Sequence, residues 1–497
     1  MMKSNNSMFN VNKNRGVWLL SVILAASLSF LLTGCATTSF PLARDNESFK
    51  AKNLSAFEKE NLKSFTTFTL SNGIPVIVKR STASQVFALS LVLRGGSLLA
   101  SPQTAGFEQV ALQTMARGTG TYSYEGIQDL LDETSSSLGA FSTFEYAAFN
   151  ITGLQKYLDS LVPVWADCLV HPSFRERDFS QVLSDAQLAL QSKEQDPWAK
   201  TAMIMNQEFF ATHPYGNVPE GTQESLGSMK LQDAVDWYET NFSANRMFVV
   251  AVGAVDPQEL RKQLEASIGK IPDRKVPLPP PAPRLANTSR LVRLEYPASR
   301  GLAYLRGDFP APAPADADFM AMNVGLKMVS DLFFNVVRDK YGAVYSPAVY
   351  IRAFPANYGS LVMFKTKVPD KIKAYIDESL ADFARGHCVA VDSATAEDPD
   401  ARIPISEALP TYKALFVNEY YQNQQTNAQQ AAAIISSVIN TGDYRTYLQD
   451  MAKIESLTAE QVQQAVSRYL LQGQITWVLT GTKDMIDQVD EKDFTGK

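Results

Sequence analysis

The sequence predicts an α+β fold built from two tandem similar domains, each an antiparallel-rich sheet packed with helices. Short strand patterns with tight-turn signals alternate with runs of helical periodicity. A proline-rich segment interrupts the chain near its middle, and a helix-then-strand pattern recurs at corresponding places on either side. These observations together favour a duplicated unit over a single large core.

The overall composition fits a globular chain. Its 497 residues are 45% hydrophobic, which suits two or three folded units. The formal net charge is −6. Because binding to nucleic acid requires a basic surface, we expect no nucleic-acid partner.

The first segment, residues 1–34, has the pattern of an export signal. Basic residues precede an apolar run from Val17 to Leu32 that is shorter than a membrane-spanning helix requires. The run ends in Leu32-Thr33-Gly34-Cys35, which resembles the bacterial lipobox, in which the signal is cut before a cysteine that receives a diacylglycerol. The alternative is an uncleaved anchor or an ordinary secretory signal.

Acylation of Cys35 would anchor the chain to a membrane. We therefore expect a cell-envelope lipoprotein that faces the periplasm, and we favour the outer over the inner membrane because Ala36, not aspartate, follows the cysteine. Residues 35–63 are polar and irregular in pattern, which is typical of a tether.

The first domain is predicted at residues 64–275. Phe65–Leu70 and Ile74–Val78 flank the turn pair Asn72-Gly73 and predict a hairpin. Further strands are predicted at Val86–Leu93 and Met247–Gly253. Helices are predicted from Thr104 to Met115, Tyr124 to Ser137, Leu154 to Leu169 and Asp178 to Gln195.

Residues 276–289 predict a linker, because proline dominates the stretch from Val276 to Pro283 and cannot continue a helix or central strand. The second domain is predicted at residues 290–497. There a helical pattern precedes the strand Ile475–Gly481, as another precedes Gly253, although coincidence alone could produce such a pair. Residues 389–409 are predicted to form a loop insertion of unassigned purpose.

Local motifs resemble the pitrilysin/insulinase metallopeptidase family in the same order along the chain. They are Leu70 through Val76, Gly95-Gly96-Ser97, Gly106 through Thr119, Leu138 through Phe141, and His213 through Gly216. The resemblance covers almost everything after residue 64. It implies the family's α+β fold and its peptide substrates.

The family's zinc motif is His-x-x-Glu-His on a helix. Alignment on Gly106 and Gly118 places Gln109 and Gln113 at the two histidines of the motif. Leu112 stands at the glutamate between them. Carboxamides are poor zinc ligands and leucine accepts no proton, so the resemblance implies a degenerate metal site. We expect no metal, no cofactor and no catalytic residue.

Nothing else in the sequence replaces the lost ligands. The family's third ligand maps loosely onto the helix that leads to Asp196-Pro197, where Asp185, Gln187 and Glu194 lie nearby and none clearly matches. The three histidines have no partner histidine at helical spacing. Glu108 is expected to be solvated. The remaining cysteines, Cys168 and Cys388, indicate neither a disulfide framework nor a metal site.

The second domain retains a segment of the family's site. Arg338 and Tyr345 match an Arg-x-x-x-Gly-x-x-Tyr pattern whose arginine and tyrosine contact substrate near the zinc in that family. Both side chains donate hydrogen bonds that suit a peptide carbonyl. The alternative is a surface ion pair for Arg338 and a core position for Tyr345.

The sequence thus predicts a non-catalytic subunit that is inactive alone. It would close the chamber of an envelope peptidase and supply Arg338 and Tyr345 to a zinc-bearing homologous chain, with an unfolded peptide as substrate. A peptide-binding or assembly lipoprotein without proteolytic role is the alternative. An active peptidase with relocated metal ligands is the least favoured interpretation. The substrate sequence, the partner and the choice between homo-oligomer and hetero-oligomer are not encoded in these patterns.

Overall fold

The computed structural model describes residue 49, residues 54–390 and residues 401–495. The predicted signal segment and Cys35 lie outside these residues. The described residues from 54 onward belong to one compact unit that contains both sheets of the fold.

The first sheet has six strands and belongs to the first half of the chain. Its strand order is β1-β2-β6-β3-β5-β4. The strands are β1 (Phe65–Thr69), β2 (Pro75–Arg80), β3 (Val86–Arg94), β4 (Ser137–Ser142), β5 (Tyr146–Leu154) and β6 (Met247–Gly253). The accompanying helices are α1 (Ala56–Lys63), α2 (Phe107–Met115), α3 (Tyr124–Thr134), α4 (Leu158–Val170), α5 (Glu176–Gln195), α6 (Pro197–Phe210), α7 (Gln223–Ser228), α8 (Leu231–Asn241) and α9 (Pro257–Ala266).

The second sheet has five strands in the order β7-β13-β8-β10-β9, and a two-stranded ribbon pairs β11 with β12. The strands are β7 (Arg290–Glu295), β8 (Ala303–Pro310), β9 (Val344–Ile351), β10 (Tyr358–Thr366), β11 (His387–Cys388), β12 (Ile403–Pro404) and β13 (Thr476–Gly481). The helices are α10 (Phe319–Phe333), α11 (Pro369–Ala384), α12 (Ile405–Gln422), α13 (Asn427–Thr441), α14 (Asp450–Ser456), α15 (Ala459–Val466), α16 (Lys483–Ile486) and α17 (Glu491–Thr495).

The two sheets repeat one topology. Without β1, the first sheet runs β2-β6-β3-β5-β4, and the second runs β7-β13-β8-β10-β9. In each, the last strand in the chain pairs in parallel with the first strand and antiparallel with the second. The predicted fold class, two tandem similar α+β domains, is confirmed. Residues 272–289, between the two sheets, contain neither helix nor strand.

Each half also contributes a helix to the other. Helix α6 packs against β8 and β13 of the second sheet, whereas α13 packs against β3 and β6 of the first. The hydroxyl of Thr201 on α6 donates to that of Thr480 at 2.7 Å, and the Asn427 side chain donates to the Val86 carbonyl at 2.5 Å. This exchange makes each sheet's burial depend on both halves of the chain.

Helix α10 continues into a π-helical segment, Phe334–Lys340. The span Phe319–Lys340 is long and apolar enough to cross a membrane by length and composition, and most of it is buried within the protein. Its side chains, including Leu326, Val329 and Phe333, pack in the core of the second half. Its apolar character is therefore explained by core packing.

Several predicted boundaries are wrong. The tether prediction fails for residues 56–63, which form α1 because the Ser55 hydroxyl caps the helix at Glu58 N. The loop prediction for residues 389–409 fails from residue 403 onward, where β12 and α12 begin. Ile405, Ala408, Leu409 and Tyr412 are buried at helical spacing along α12, a periodicity that the polar stretch before it obscured.

Other local predictions are confirmed. The hairpin β1–β2 pairs Phe65 with Lys79 and Thr69 with Pro75 around the Asn-Gly turn. The helix predicted from Leu154 begins instead at Leu158 and contains Pro163, whose ring does not break it, and α5 extends the predicted helix by two residues at its start. Strands β4 and β5 fill the stretch between the helices predicted to end at Ser137 and to begin at Leu154, where the sequence predicts no element.

Candidate functional site

Helix α2 places the three zinc-motif positions on one short element. Leu112 is only 2% exposed and packs into the core of the first half with Met115. Gln109 and Gln113 are half-buried. The Gln109 side-chain oxygen accepts a hydrogen bond from the backbone N–H of Ser142 on β4 at 2.6 Å. At this position, where the family has a zinc-binding histidine, the Gln109 side chain therefore binds the backbone at the end of β4.

These residues do not fit a zinc ion. Leu112 has no donor atom, and the one oxygen of Gln109 that could approach a metal is held by Ser142. The residues near the expected third ligand are also engaged: the Gln187 amide donates to Leu226 O at 3.2 Å, and Asp185 accepts from Gln181 at 2.8 Å. Within the described ranges, no group of three or more His, Cys, Asp or Glu side chains is placed to hold a metal ion.

The histidines and cysteines lie apart. His171 contacts Asp167 at 2.8 Å, and His213 Nε2 lies 2.9 Å from the Pro283 carbonyl oxygen. Cys168 and Cys388 are buried free thiols, and burial raises the pKa of each to about 12. A thiol with such a pKa stays protonated at neutral pH, which makes it a poor nucleophile.

The expectation that Glu108 is solvated is wrong. Its side chain is 11% exposed, not solvated, and burial raises its pKa. Its carboxylate accepts from the Ser142 hydroxyl at 2.7 Å and lies 3.8 Å from a terminal nitrogen of Arg246. Arg246 directly precedes β6 and is far from Glu108 in the sequence, so only the fold brings the two side chains together.

Arg338 and Tyr345 meet at the turn between α10 and β9. Gly342 has a φ of +58°, which reverses the chain after the π-helical segment, and its N–H donates to Arg338 O at 2.8 Å. The Arg338 guanidinium carbon lies 4.4 Å from the Phe334 ring centre and 5.5 Å from that of Tyr345. The two predicted site residues are therefore adjacent.

Both side chains are available to a ligand. Tyr345 is 67% exposed and Arg338 is half-buried. Among the described residues, neither the Tyr345 hydroxyl nor the Arg338 guanidinium has a hydrogen-bond or ion-pair partner. By contrast, neighbouring Lys340 and Tyr341 both bind the Glu378 carboxylate, at 3.0 and 2.8 Å. The alternative of a core Tyr345 is thus wrong, and so is that of an ion-paired Arg338 within the described chain.

The fold and this site define a peptidase-like protein of duplicated α+β architecture. Residues 75–222 match the model of the insulinase family, peptidase family M16, and residues 228–388 match that of the peptidase M16 inactive domain. Together these matches cover more than half of the chain. The chain belongs to the insulinase (M16) family, which confirms the resemblance drawn from the motifs.

The relatives include proteins that are named as non-peptidases or as subunits. The chain is 26% identical to the non-peptidase homolog YmxG of Helicobacter pylori over 41% of this chain and 47% of that one. It is 24% identical to the mitochondrial-processing peptidase subunit beta of Lentinula edodes, over 44% and 47% respectively. The chain spans about half the length of these curated relatives.

Solved structures share the fold. The peptidase M16 inactive domain from Pseudomonas fluorescens superimposes with a TM-score of 0.71 at 16% identity, covering 84% of this chain and 98% of that one. The periplasmic protease PqqL from Escherichia coli gives a TM-score of 0.68 at 17% identity, covering 86% and 46%.

Proposed function

We propose that this chain is the non-catalytic, zinc-less subunit of an envelope peptidase. It closes the chamber of a zinc-bearing homologous chain and contributes Arg338 and Tyr345 to substrate binding. The observation that carries the proposal is the pair of hydrogen-bond donors, half-buried Arg338 and exposed Tyr345, that meet at the α10–β9 turn without a hydrogen-bond partner among the described residues. A guanidinium and a phenol placed side by side can hold a peptide carbonyl and stabilise the charge that develops on it.

Three further observations support the proposal. Helix α2 presents amides and a core leucine where a metallopeptidase needs ligands and a base, so water activation has to come from another chain. The family relatives include named subunits of a processing peptidase. Within the described part of the chain, β4 ends its sheet and pairs with β5 alone, which leaves an edge suited to an extended peptide.

The location belongs to the same proposal. A lipid on Cys35 holds the chain at the membrane, with the folded part in the periplasm and the outer membrane favoured. The fold shared with a periplasmic protease is compatible with that placement.

The test is co-expression with a zinc-bearing homologue from the same genome, followed by assays on an unfolded peptide. We expect hydrolysis only when both chains are present, and a loss of about a hundredfold in kcat/KM with Arg338→Ala. Arg385→Ala is the matched control, because it removes an exposed arginine of the same half that pairs with Asp382. Full hydrolysis by the homologue alone, or equal activity of the two variants, would refute the shared site.

A second candidate function is a peptide-binding or assembly lipoprotein without proteolytic role. The relative named as a non-peptidase homolog favours it. It predicts that the purified chain binds unfolded peptide with the same affinity whether or not a zinc-bearing homologue is present. Peptide affinity that appears only in the heterodimer would exclude it.

A further inference from the structure

A cavity of about 370 Å³ lies beside the N-terminal end of α2. It is walled by the N-terminus of α2, the turn Gly96–Leu99 and helix α8, and is called here the α2–α8 pocket. Arg246, Ser97 and Glu108 line it together with Asp233, Asp236 and Trp237 of α8. None of these residues has a part in the function proposed above.

Arg246 offers the pocket an unused donor. Its side chain is 0% exposed. Its Nε donates to Arg94 O and its Nη1 to Asn241 O, both at 2.8 Å, whereas Nη2 has no hydrogen-bond partner in the described structure. The Glu108 carboxylate, 3.8 Å from Nη2, is too distant for a hydrogen bond. A buried guanidinium N–H without an acceptor is costly, which indicates that an acceptor completes the site.

Two more donors converge on the same space. The Ser97 hydroxyl is buried at 4% exposure and also lacks a partner among the described residues. Helix α2 begins at the pocket, and Gly106 at its N-cap offers no side-chain oxygen to its first amides. An uncapped helix N-terminus favours negative charge. These three features favour a carboxylate oxygen.

The rest of the lining has the opposite charge. Asp233 and Asp236 on α8 line the pocket together with Glu108. The lining therefore contains three carboxyl groups and one guanidinium. Glu108 already accepts from the Ser142 hydroxyl, and burial raises its pKa, which reduces the repulsion that a ligand carboxylate would meet. A ligand that matches this lining carries both an acidic and a basic group.

We propose that the α2–α8 pocket binds a small zwitterionic amino acid with an apolar side chain. Its carboxylate accepts from Arg246 Nη2, Ser97 Oγ and the first turn of α2. Its ammonium group lies toward Asp233 and Asp236, and its side chain packs against Trp237. The cavity is within the usual size range of small-molecule sites. This site is independent of Arg338 and Tyr345.

Calorimetric titration of the full chain with L-leucine tests the proposal. L-leucinamide lacks the carboxylate and N-acetyl-L-leucine lacks the ammonium group, so both should bind at least about tenfold more weakly. Absence of L-leucine binding at millimolar concentration would overturn the proposal. So would equal affinity for all three compounds.

Matched variants locate the binding. Ser97→Ala should weaken L-leucine binding by about tenfold. Ser299→Ala should leave it unchanged, since Ser299 has an equally buried, unpartnered hydroxyl in the second half. Asp236→Asn should weaken binding, whereas Glu239→Gln, an exposed change on the same helix outside the pocket, should not. Equal effects within either pair would place the ligand elsewhere.

Discussion

The guanidinium of Arg338 lies over the ring of Tyr345, with 5.5 Å between the guanidinium carbon and the ring centre. The contact links the end of the α10 segment to the start of β9 across the Gly342 turn. Neither polar group has a hydrogen-bond partner in the described structure. Both can therefore donate to a ligand, as the proposed function requires.

The first prediction follows from that exposure. Tyr345→Phe should change the free energy of unfolding by less than about 0.5 kcal/mol, because its hydroxyl has no hydrogen-bond partner among the described residues. Tyr412→Phe should cost about 1.5–3 kcal/mol, because the buried Tyr412 hydroxyl donates to the Asp331 carboxylate. Urea denaturation of both variants measures the difference. A larger loss in Tyr345→Phe than in Tyr412→Phe would assign Tyr345 a structural role.

The second prediction concerns the degenerate zinc helix. Leu112→Glu should destabilise the protein by about 3 kcal/mol or more, because it places an unpaired carboxylate in the core of the first half. Gln113→Glu is the control: it adds the same charge one position along, where the side chain is half-buried. The urea concentration at the unfolding midpoint should be clearly lower for Leu112→Glu than for Gln113→Glu. Equal midpoints would contradict the burial of Leu112.

The third prediction uses Lys79, which is buried between the two halves and donates to the Tyr447 hydroxyl at 3.3 Å. Burial lowers its pKa to about 8, although Glu58 nearby opposes the shift. Between pH 8 and its unfolded value near 10.5, the unfolded chain binds more protons than the native one, so stability rises with pH. Relative to Lys79→Met, the wild type should gain up to about 3 kcal/mol across this window.

Unfolding curves recorded from pH 7 to 10.5 for both proteins measure that gain. Lys262→Met, which removes an exposed lysine on α9, is the control and should follow the wild type. If the free energies of unfolding of the wild type and Lys79→Met differed by the same amount at every pH, Lys79 would titrate alike in the folded and unfolded chain.

The fourth prediction tests the lipid anchor. Cys35→Ser should abolish attachment of the acyl chains, because its thiol is the group that would receive the diacylglycerol. Labelling of cells with radioactive palmitate, followed by immunoprecipitation, measures acylation. Cys168→Ser leaves the signal intact and should be labelled like the wild type. Equal labelling of the Cys35→Ser protein, or an unlabelled wild type, would contradict the lipid anchor.

Much of the local structure could be predicted from the sequence because it depends on neighbouring residues. The Asn72-Gly73 turn and its alternating flanks specify a hairpin, and the loss of zinc ligands is a matter of side-chain chemistry at Gln109 and Leu112. Strands β4 and β5 were missed because their small and polar residues gave no clear period. Helix α12 was missed for a related reason, since the polar residues before it obscured Ile405 and Leu409.

The α2–α8 pocket could not be predicted in this way. Glu108 carries an ordinary helical-surface signal, and its burial depends on Ser142 and Arg246, which lie on other elements. Arg246, which directly precedes the apolar strand β6, was the one residue in the sequence that hinted at a polar site there. The direction of its side chain cannot be derived from the sequence pattern around it.

By itself, the sequence determined the duplicated α+β plan, the family and the absence of metal ligands on α2, since periodicity, motif order and donor chemistry are properties of short segments. Only the tertiary structure decided the exchange of α6 and α13 between the halves, the meeting of Glu108 with Arg246, and the exposure of Tyr345 beside Arg338. Those features depend on contacts between residues far apart in the chain, which are set by the burial of whole faces and the pairing of whole strands.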